Sequence, residues 1–77
     1  MTSVVDTNNL RFKVISENIK KYRIENNLTQ RELADKVGIS LSYLSKIEAS
    51  NCNKSFSLHV LFDIADALNI DIKEFFD

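Results

Sequence analysis

The chain contains one glycine, Gly38, and its position constrains the possible folds more than any other feature of the sequence. The 77 residues contain no proline, and Gly38 separates two short segments with the apolar spacing of helices, within TQRELADKVGISLSYLSKIE (residues 29–48). A connection as short as Gly38-Ile39 must reverse the chain sharply, and glycine adopts the positive φ this requires at little steric cost. The stretch therefore predicts two helices joined by a tight turn. Gly38 alone does not exclude a plain helical hairpin in a small bundle.

Apolar residues at helical spacing and capping residues predict an all-α fold of five helices. A short last helix is expected through Ile72, Phe75 and Phe76. The apolar positions that mark the inner faces of the first four helices are Phe12, Ile15, Ile19, Tyr22, Leu33, Ala34, Val37, Leu44, Ile47, Leu58, Leu61, Ile64, Ala65 and Leu68. The expected N-caps are Thr29 in a capping box with Glu32, then Ser40, Ser57, and Asp71 in a second box with Glu74. Asn26-Asn27 and Asn69 are expected to end helices. No segment shows the alternation of a β-strand.

The domain organisation follows from where this pattern starts. Residues 1–10 are mostly polar and unpatterned, and we expect a flexible N-terminal arm there. Residues 11–77 then form one compact domain, because a chain of this length holds a single small core.

Composition excludes several classes of function. One cysteine and one histidine allow neither an internal disulfide nor a zinc site, and no other metal or cofactor is implied. No nucleophile–base pair or phosphate loop points to an enzyme. The sequence shows neither a membrane span nor a signal pattern, so we expect a soluble, cytoplasmic protein.

Charge is divided unevenly along the chain. Residues 11–54 carry nine basic and five acidic side chains, whereas residues 55–77 carry one basic and five acidic. A basic segment of this kind favours a polyanionic partner, although small domains often divide their charge unevenly without one.

The full constellation resembles the helix-turn-helix of the lambda repressor/Cro-like family, also called the Xre family. The residues that carry the resemblance are Gln30, Leu33, Ala34, Val37, Gly38, Ile39, Leu44 and Ile47, within LTQRELADKVGIS and SYLSKIE, together with LFDIADALNIDIKEFF. The resemblance covers roughly residues 11–76. It implies a compact five-helix domain, with the helix-turn-helix at residues 29–48, that binds double-stranded operator DNA as a dimer and regulates transcription.

The resemblance assigns DNA contacts to the second and third helices and the loop that follows. The start of the third helix is expected to reach base edges in the major groove. The expected contacts are Gln30, Ser40, Leu41, Ser42, Tyr43, Ser45, Lys46, Asn51, Asn53 and Lys54. Gln30 is expected to hold a phosphate at the start of the second helix. Asn51, Asn53 and Lys54 are expected to contact the DNA backbone, with less charge than relatives carry there.

Two of these residues have alternative interpretations. Leu41 either meets a thymine methyl group or packs on the domain surface; many family members carry a long polar or basic residue there. Tyr43 either packs at the domain edge or places its hydroxyl near a phosphate, and a tyrosine can do both. Arg23 and Glu48 match a pair that, in this family, bridges the first helix and the end of the third.

The C-terminal region carries more apolar side chains than two short helices can bury. We expect a dimer interface that includes Val60, Phe62, Ile70, Phe75 and Phe76. A two-fold dimer would place two recognition helices one DNA turn apart, ~34 Å.

The resulting hypothesis is a homodimeric, sequence-specific transcriptional regulator that binds a palindromic operator and controls its own gene. The type we favour is a restriction–modification controller or a small repressor, because the chain stops after the fifth helix. An activator would also need a surface for RNA polymerase. The alternative is a protein-interaction module or antitoxin that keeps the fold and acts through its apolar C-terminal surface.

Overall fold

The computed structural model describes the backbone of residues 3–49 and 56–77, with side chains from residue 10 onward. Over these ranges the chain forms four α-helices and a terminal 3-10 helix. The elements are α1 (Ser3–Glu25), α2 (Gln30–Val37), α3 (Leu41–Glu48), α4 (Leu58–Leu68) and the 3-10 helix (Ile72–Phe76). None of the helices described is both long and apolar enough to cross a membrane.

The expectation of five α-helices is wrong at the last element. Asp71 accepts a hydrogen bond from the backbone N–H of Lys73 at 3.0 Å, and the N–H of Glu74 donates to the Asp71 carbonyl at 3.0 Å. This is the tighter i to i+3 pattern of a 3-10 helix, which suits an element of only five residues. The predicted capping box of Asp71 with Glu74 is therefore absent.

Helix α1 begins earlier than the sequence pattern indicated. Residues 3–10, assigned above to an arm, are its first two turns. Whether that segment is flexible stays a prediction.

The helix ends are built by the predicted residues. Both hydrogen bonds of the Thr29–Glu32 capping box are present. The N–H of Glu32 donates to the hydroxyl oxygen of Thr29 at 3.1 Å, and the N–H of Thr29 donates to Oε1 of Glu32 at 2.8 Å. Asn27 and Asn69 have positive φ angles of 59° and 62°, which close the ends of α1 and α4. Local hydrogen bonds thus fix where α2, α3 and α4 start.

One apolar core joins all the elements. Helix α1 packs against α3, α4 and the 3-10 helix, and α2 packs against α3 and α4. The buried apolar residues are Ile15, Ile19, Leu33, Ala34, Leu44, Ile47, Leu61, Ile64, Ala65, Leu68 and Phe75. Phe12 and Phe56 meet edge to face at 5.4 Å between ring centroids, which holds the chain just before α4 onto α1. This packing presents α2 and α3 at one side of the domain.

Candidate nucleic-acid interface

The turn between α2 and α3 has the geometry that Gly38 was expected to provide. Gly38 is left-handed, with φ 83°, and its N–H donates to the carbonyl of Ala34 at 2.8 Å. The N–H of Ile39 donates to the same carbonyl at 3.0 Å. Ser40 then caps α3, accepting from the N–H of Tyr43 at 3.0 Å. Hydrogen bonds thus hold every residue of the short connection between α2 and α3, which fixes how the two helices are oriented.

Helix α3 buries one face and leaves the opposite face open. Leu44, Ile47 and Glu48 are buried, whereas Ser42 and Lys46 are exposed. These two side chains face solvent, as a residue that contacts DNA must.

The flanks of α3 are intermediate. Leu41 is half-buried at its first residue, so part of its side chain packs on the domain and part faces solvent. Tyr43 lies at the exposed edge. The choice between the two interpretations of each residue stays open.

A hydrogen-bond network ties α1, α2 and α3 together beneath this face. Arg23 donates to the carboxylate of Glu48 twice, from Nε to Oε2 at 2.8 Å and from Nη2 to Oε1 at 3.1 Å. Its Nη1 donates to the carbonyl of Leu28 at 2.7 Å. The predicted Arg23–Glu48 pair is thus present, with both groups buried. It anchors the end of α3 to α1 and to the turn before α2.

Gln30 and Ser45 extend this network across the helix pair. The amide Nε2 of Gln30 donates to Oε1 of Glu48 at 3.0 Å, and its Oε1 accepts from the hydroxyl of Ser45 at 3.0 Å. Both residues were expected to contact DNA, and the structure gives them partners within the protein as well. They were predicted singly; that they bond to each other depends on how α2 lies against α3.

The remaining predicted contacts divide into two groups. Ser40, the cap of α3, and Ser42 and Lys46 on the helix itself are all exposed. Asn51, Asn53 and Lys54 lie outside the described residues.

The predicted dimer surface needs correction at one position, Phe75. Phe75 is 0% exposed and belongs to the core, so it cannot form part of an open surface. Val60 and Ile70 pack against that core and are only partly exposed. Phe62 and Phe76 remain open, at 47% and 54%. The expected surface is therefore smaller than the sequence suggested.

Leu58 was expected in the core but is exposed, whereas Phe75 was expected at the surface but is buried. The sequence pattern put Leu58 on the inner side of α4, yet it is 57% exposed, one turn before Phe62. The 3-10 helix, which carries Phe76, packs against α4. We call Leu58, Phe62 and Phe76 the apolar surface.

Two side chains of α1 make contacts with the C-terminal residues that the sequence analysis did not predict. The hydroxyl of Tyr22 donates to Oε1 of Glu74 at 3.1 Å. The side-chain amide of Asn18 donates to the carbonyls of Phe75 and Asp77, at 3.0 Å and 3.1 Å. Asn18 lies next to the buried Ile19 in the sequence. A polar residue so near an inward-facing position was the one sequence feature that could have indicated a buried-side contact for Asn18.

The contact with Glu74 also alters Tyr22 chemically. It raises the pKa of the Tyr22 phenol above 10.0, chiefly because the hydrogen bond requires the protonated hydroxyl. Desolvation and the nearby negative charges of Glu74, Glu25 and Asp77 act in the same direction.

Comparison with known proteins places this geometry among regulators. Residues 19–75 match the family model described as helix-turn-helix. The control protein C.SmaI of Serratia marcescens is 32% identical over 60 residues, which are 78% of this chain and 69% of that protein. The transcriptional regulator SinR of Bacillus subtilis strain 168 is 34% identical over 64 residues, 83% of this chain and 57% of SinR. The immunity repressor of Bacillus phage phi105 is 41% identical over 58 residues, 75% of this chain and 39% of the repressor.

Solved structures agree with this fold. The restriction-modification controller protein C.AhdI from Aeromonas hydrophila superposes with a TM-score of 0.77 and 26% identity, covering 84% of this chain and 96% of that chain. The clp gene regulator ClgR from C. glutamicum superposes with a TM-score of 0.74 and 25% identity, covering 83% and 80%.

Proposed function

The chain belongs to the helix-turn-helix family, and on that premise we propose that it is a DNA-binding transcriptional regulator of the controller or repressor type. It binds a palindromic operator as a homodimer and controls its own gene. The observation that carries the proposal is the exposed group of Ser40, Ser42 and Lys46 on a recognition helix whose other face is buried. Catalysis is no part of the proposal, since the relatives named above are regulators.

The rigidity of α3 supports sequence-specific reading. Discrimination between bases requires side chains that hold their positions relative to the groove. Here α3 is capped at its start and tied at its end through Glu48 to Arg23. Lys46 supplies the positive charge that a phosphate or a guanine edge attracts.

The apolar surface supports the dimer. Leu58 and Phe62 lie one turn apart on α4, Phe76 lies on the 3-10 helix that packs against α4, and each is about half exposed. A two-fold axis on this side of the domain would bury them against a second copy. Helix α4 and the 3-10 helix, which carry the apolar surface, also carry the acidic residues Asp63, Asp66 and Glu74, whereas α2 and α3 carry the basic residues Arg31, Lys36 and Lys46.

A gel shift with salt titration tests this proposal. The probe is the DNA immediately upstream of the chain's own gene, with random duplex as competitor. We expect binding that survives competitor and increases in steps of whole dimers. Replacing Lys46 with alanine should weaken binding and lower the salt slope by roughly one counterion. Lys73→Ala, which removes the same charge from an exposed position on the 3-10 helix, is the matched control.

The alternative function, an interaction module acting through the apolar surface, has its own signature. Such a protein binds the upstream DNA no better than random duplex. The double variant Ser42→Ala/Lys46→Ala then leaves capture of its protein partner intact. The regulator proposal requires that this variant lose operator binding while its helical circular dichroism is unchanged.

A further inference from the structure

The network beneath α3 determines which way the hydroxyl proton of Ser45 points. Glu48 presents carboxylate oxygens to Arg23, and a carboxylate only accepts hydrogen bonds. The Gln30 group within 3.0 Å of Glu48 must therefore be its NH2, which turns the amide oxygen toward Ser45. An amide oxygen also only accepts, so the Ser45 hydroxyl has to donate to it, at 3.0 Å. The charge of Arg23 thus orients, bond by bond, a proton on the recognition helix.

The other two serines at this face are in different states. Ser40 accepts from the N–H of Tyr43, so its own proton is still available to a DNA phosphate. Ser42 is exposed, and no hydrogen bond holds its hydroxyl among the residues that the structure describes. A free hydroxyl rotates to donate or accept as its partner requires. Only Ser45, which is partly exposed, has its donor already engaged.

We propose that Ser45 determines base specificity as an acceptor-only hydroxyl, and that Gln30 is the positioning residue that makes it so. This inference rests on the proposed function. In the major groove, the groups that donate are N6 of adenine and N4 of cytosine, whereas O6 and N7 of guanine and O4 of thymine accept. Ser45 therefore selects adenine or cytosine at the position it faces. A serine hydroxyl ordinarily does not discriminate between bases, because it can both donate and accept a hydrogen bond. The network commits the donor of Ser45 to Gln30 and leaves only the acceptor for a base.

The first experiment needs no DNA. NMR measures exchange of the Ser45 hydroxyl proton with water in the wild type and in Gln30→Met, which keeps the length of the side chain but removes the acceptor. We expect a proton that exchanges measurably more slowly in the wild type than in the variant. Equal, fast exchange in both proteins would overturn the proposal at its first step.

The second experiment reads base preference. Binding sites are selected from a random duplex library with the wild type, Ser45→Ala, Gln30→Met and Ser42→Ala, and gel shifts then measure single base changes. At one position per half-site, the wild type should accept adenine or cytosine and lose roughly tenfold in affinity with guanine or thymine. Ser45→Ala should lose this preference, and Gln30→Met should admit guanine and thymine there. Ser42→Ala should weaken binding through the loss of its own contact, and the base preference at the position that Ser45 faces should stay as in the wild type.

The contrary outcomes are distinct. A selected site whose preference is identical in Ser45→Ala excludes Ser45 as a reader. A preference lost in Ser45→Ala but kept in Gln30→Met shows that the network does not set its polarity. If the wild type enriches no sequence at all, the proposed function itself fails, whatever the NMR result.

Discussion

The guanidinium of Arg23 and the carboxylate of Glu48 form a two-bond ion pair, at 2.8 Å and 3.1 Å, between α1 and the end of α3. The carboxylate side chain is only 2% exposed. Twenty-five residues separate the partners in sequence, so the pair exists only when the domain is assembled. The same carboxylate also accepts from Gln30, which makes it the centre of the helix-turn-helix.

Removing one member of this pair should destabilise the fold strongly. For Arg23→Met we expect a loss of about 3–5 kcal/mol in the free energy of unfolding, because Glu48 is left as a buried charge without its partner. Urea denaturation measures the loss, and Lys20→Met, an exposed change on the same helix, should stay within about 0.5 kcal/mol. The double variant Arg23→Met/Glu48→Leu should recover part of the loss. No recovery would mean that packing, and not charge, dominates at this site.

Stability at alkaline pH should depend on Tyr22. The pKa of its phenol is raised above 10.0 in the folded protein, so the unfolded chain loses this proton first as the pH rises. The hydrogen bond to Glu74 therefore stabilises fully below pH 10, and its contribution falls as the pH rises through the higher folded pKa. Urea denaturation at pH 8 to 11 should show a steeper decline for the wild type than for Tyr22→Phe. Equal slopes for the wild type and Tyr22→Phe would refute the linkage.

Gly38 should be replaceable at a modest cost. A Cβ built at this position meets nothing within 4 Å, so the penalty for Gly38→Ala is the left-handed backbone alone, about 1 kcal/mol. Asparagine adopts the same region at Asn27 and Asn69 in this chain, so Gly38→Asn should cost less than Gly38→Ala. Thermal or urea unfolding should rank the wild type as most stable, then Gly38→Asn, then Gly38→Ala. A loss above about 3 kcal/mol for alanine would indicate a clash that the structure does not contain.

Two phenylalanines that look alike in the sequence should behave oppositely. Phe62→Lys should abolish self-association in sedimentation equilibrium, and it should leave the unfolding of the monomer nearly unchanged, because the side chain is half exposed. Phe75→Ala should cost the monomer about 3–5 kcal/mol by leaving a cavity in the core. Unfolding is measured at several protein concentrations, since dimerisation itself stabilises. A Phe62→Lys protein that associates as the wild type does would exclude Phe62 from the interface.

Local chemistry made much of this fold predictable. The caps at Thr29, Ser40 and Ser57, and the positive φ angles at Gly38 and Asn69, all lie where the sequence pattern put them. Each of these features joins groups only a few residues apart, so the residue types suffice to specify them. The exposure of Ser42 and Lys46 follows in the same way, from the period of a helix whose Leu44 and Ile47 face inward.

Tertiary packing decided what local chemistry left open. Glu74 was predicted to cap its own helix, but α1 brings the Tyr22 hydroxyl to it, 52 residues away in sequence. Helical period places Leu58 and Phe75 each on an apolar face, yet only Phe75 has an element packed over it. The polar partners of Gln30 and Ser45 depend in the same way on how α2 crosses α3. The sequence by itself determined the caps that begin α2, α3 and α4 and the turn at Gly38, because those bonds are local. The fold alone determined which side chains meet, because that choice belongs to elements distant along the chain.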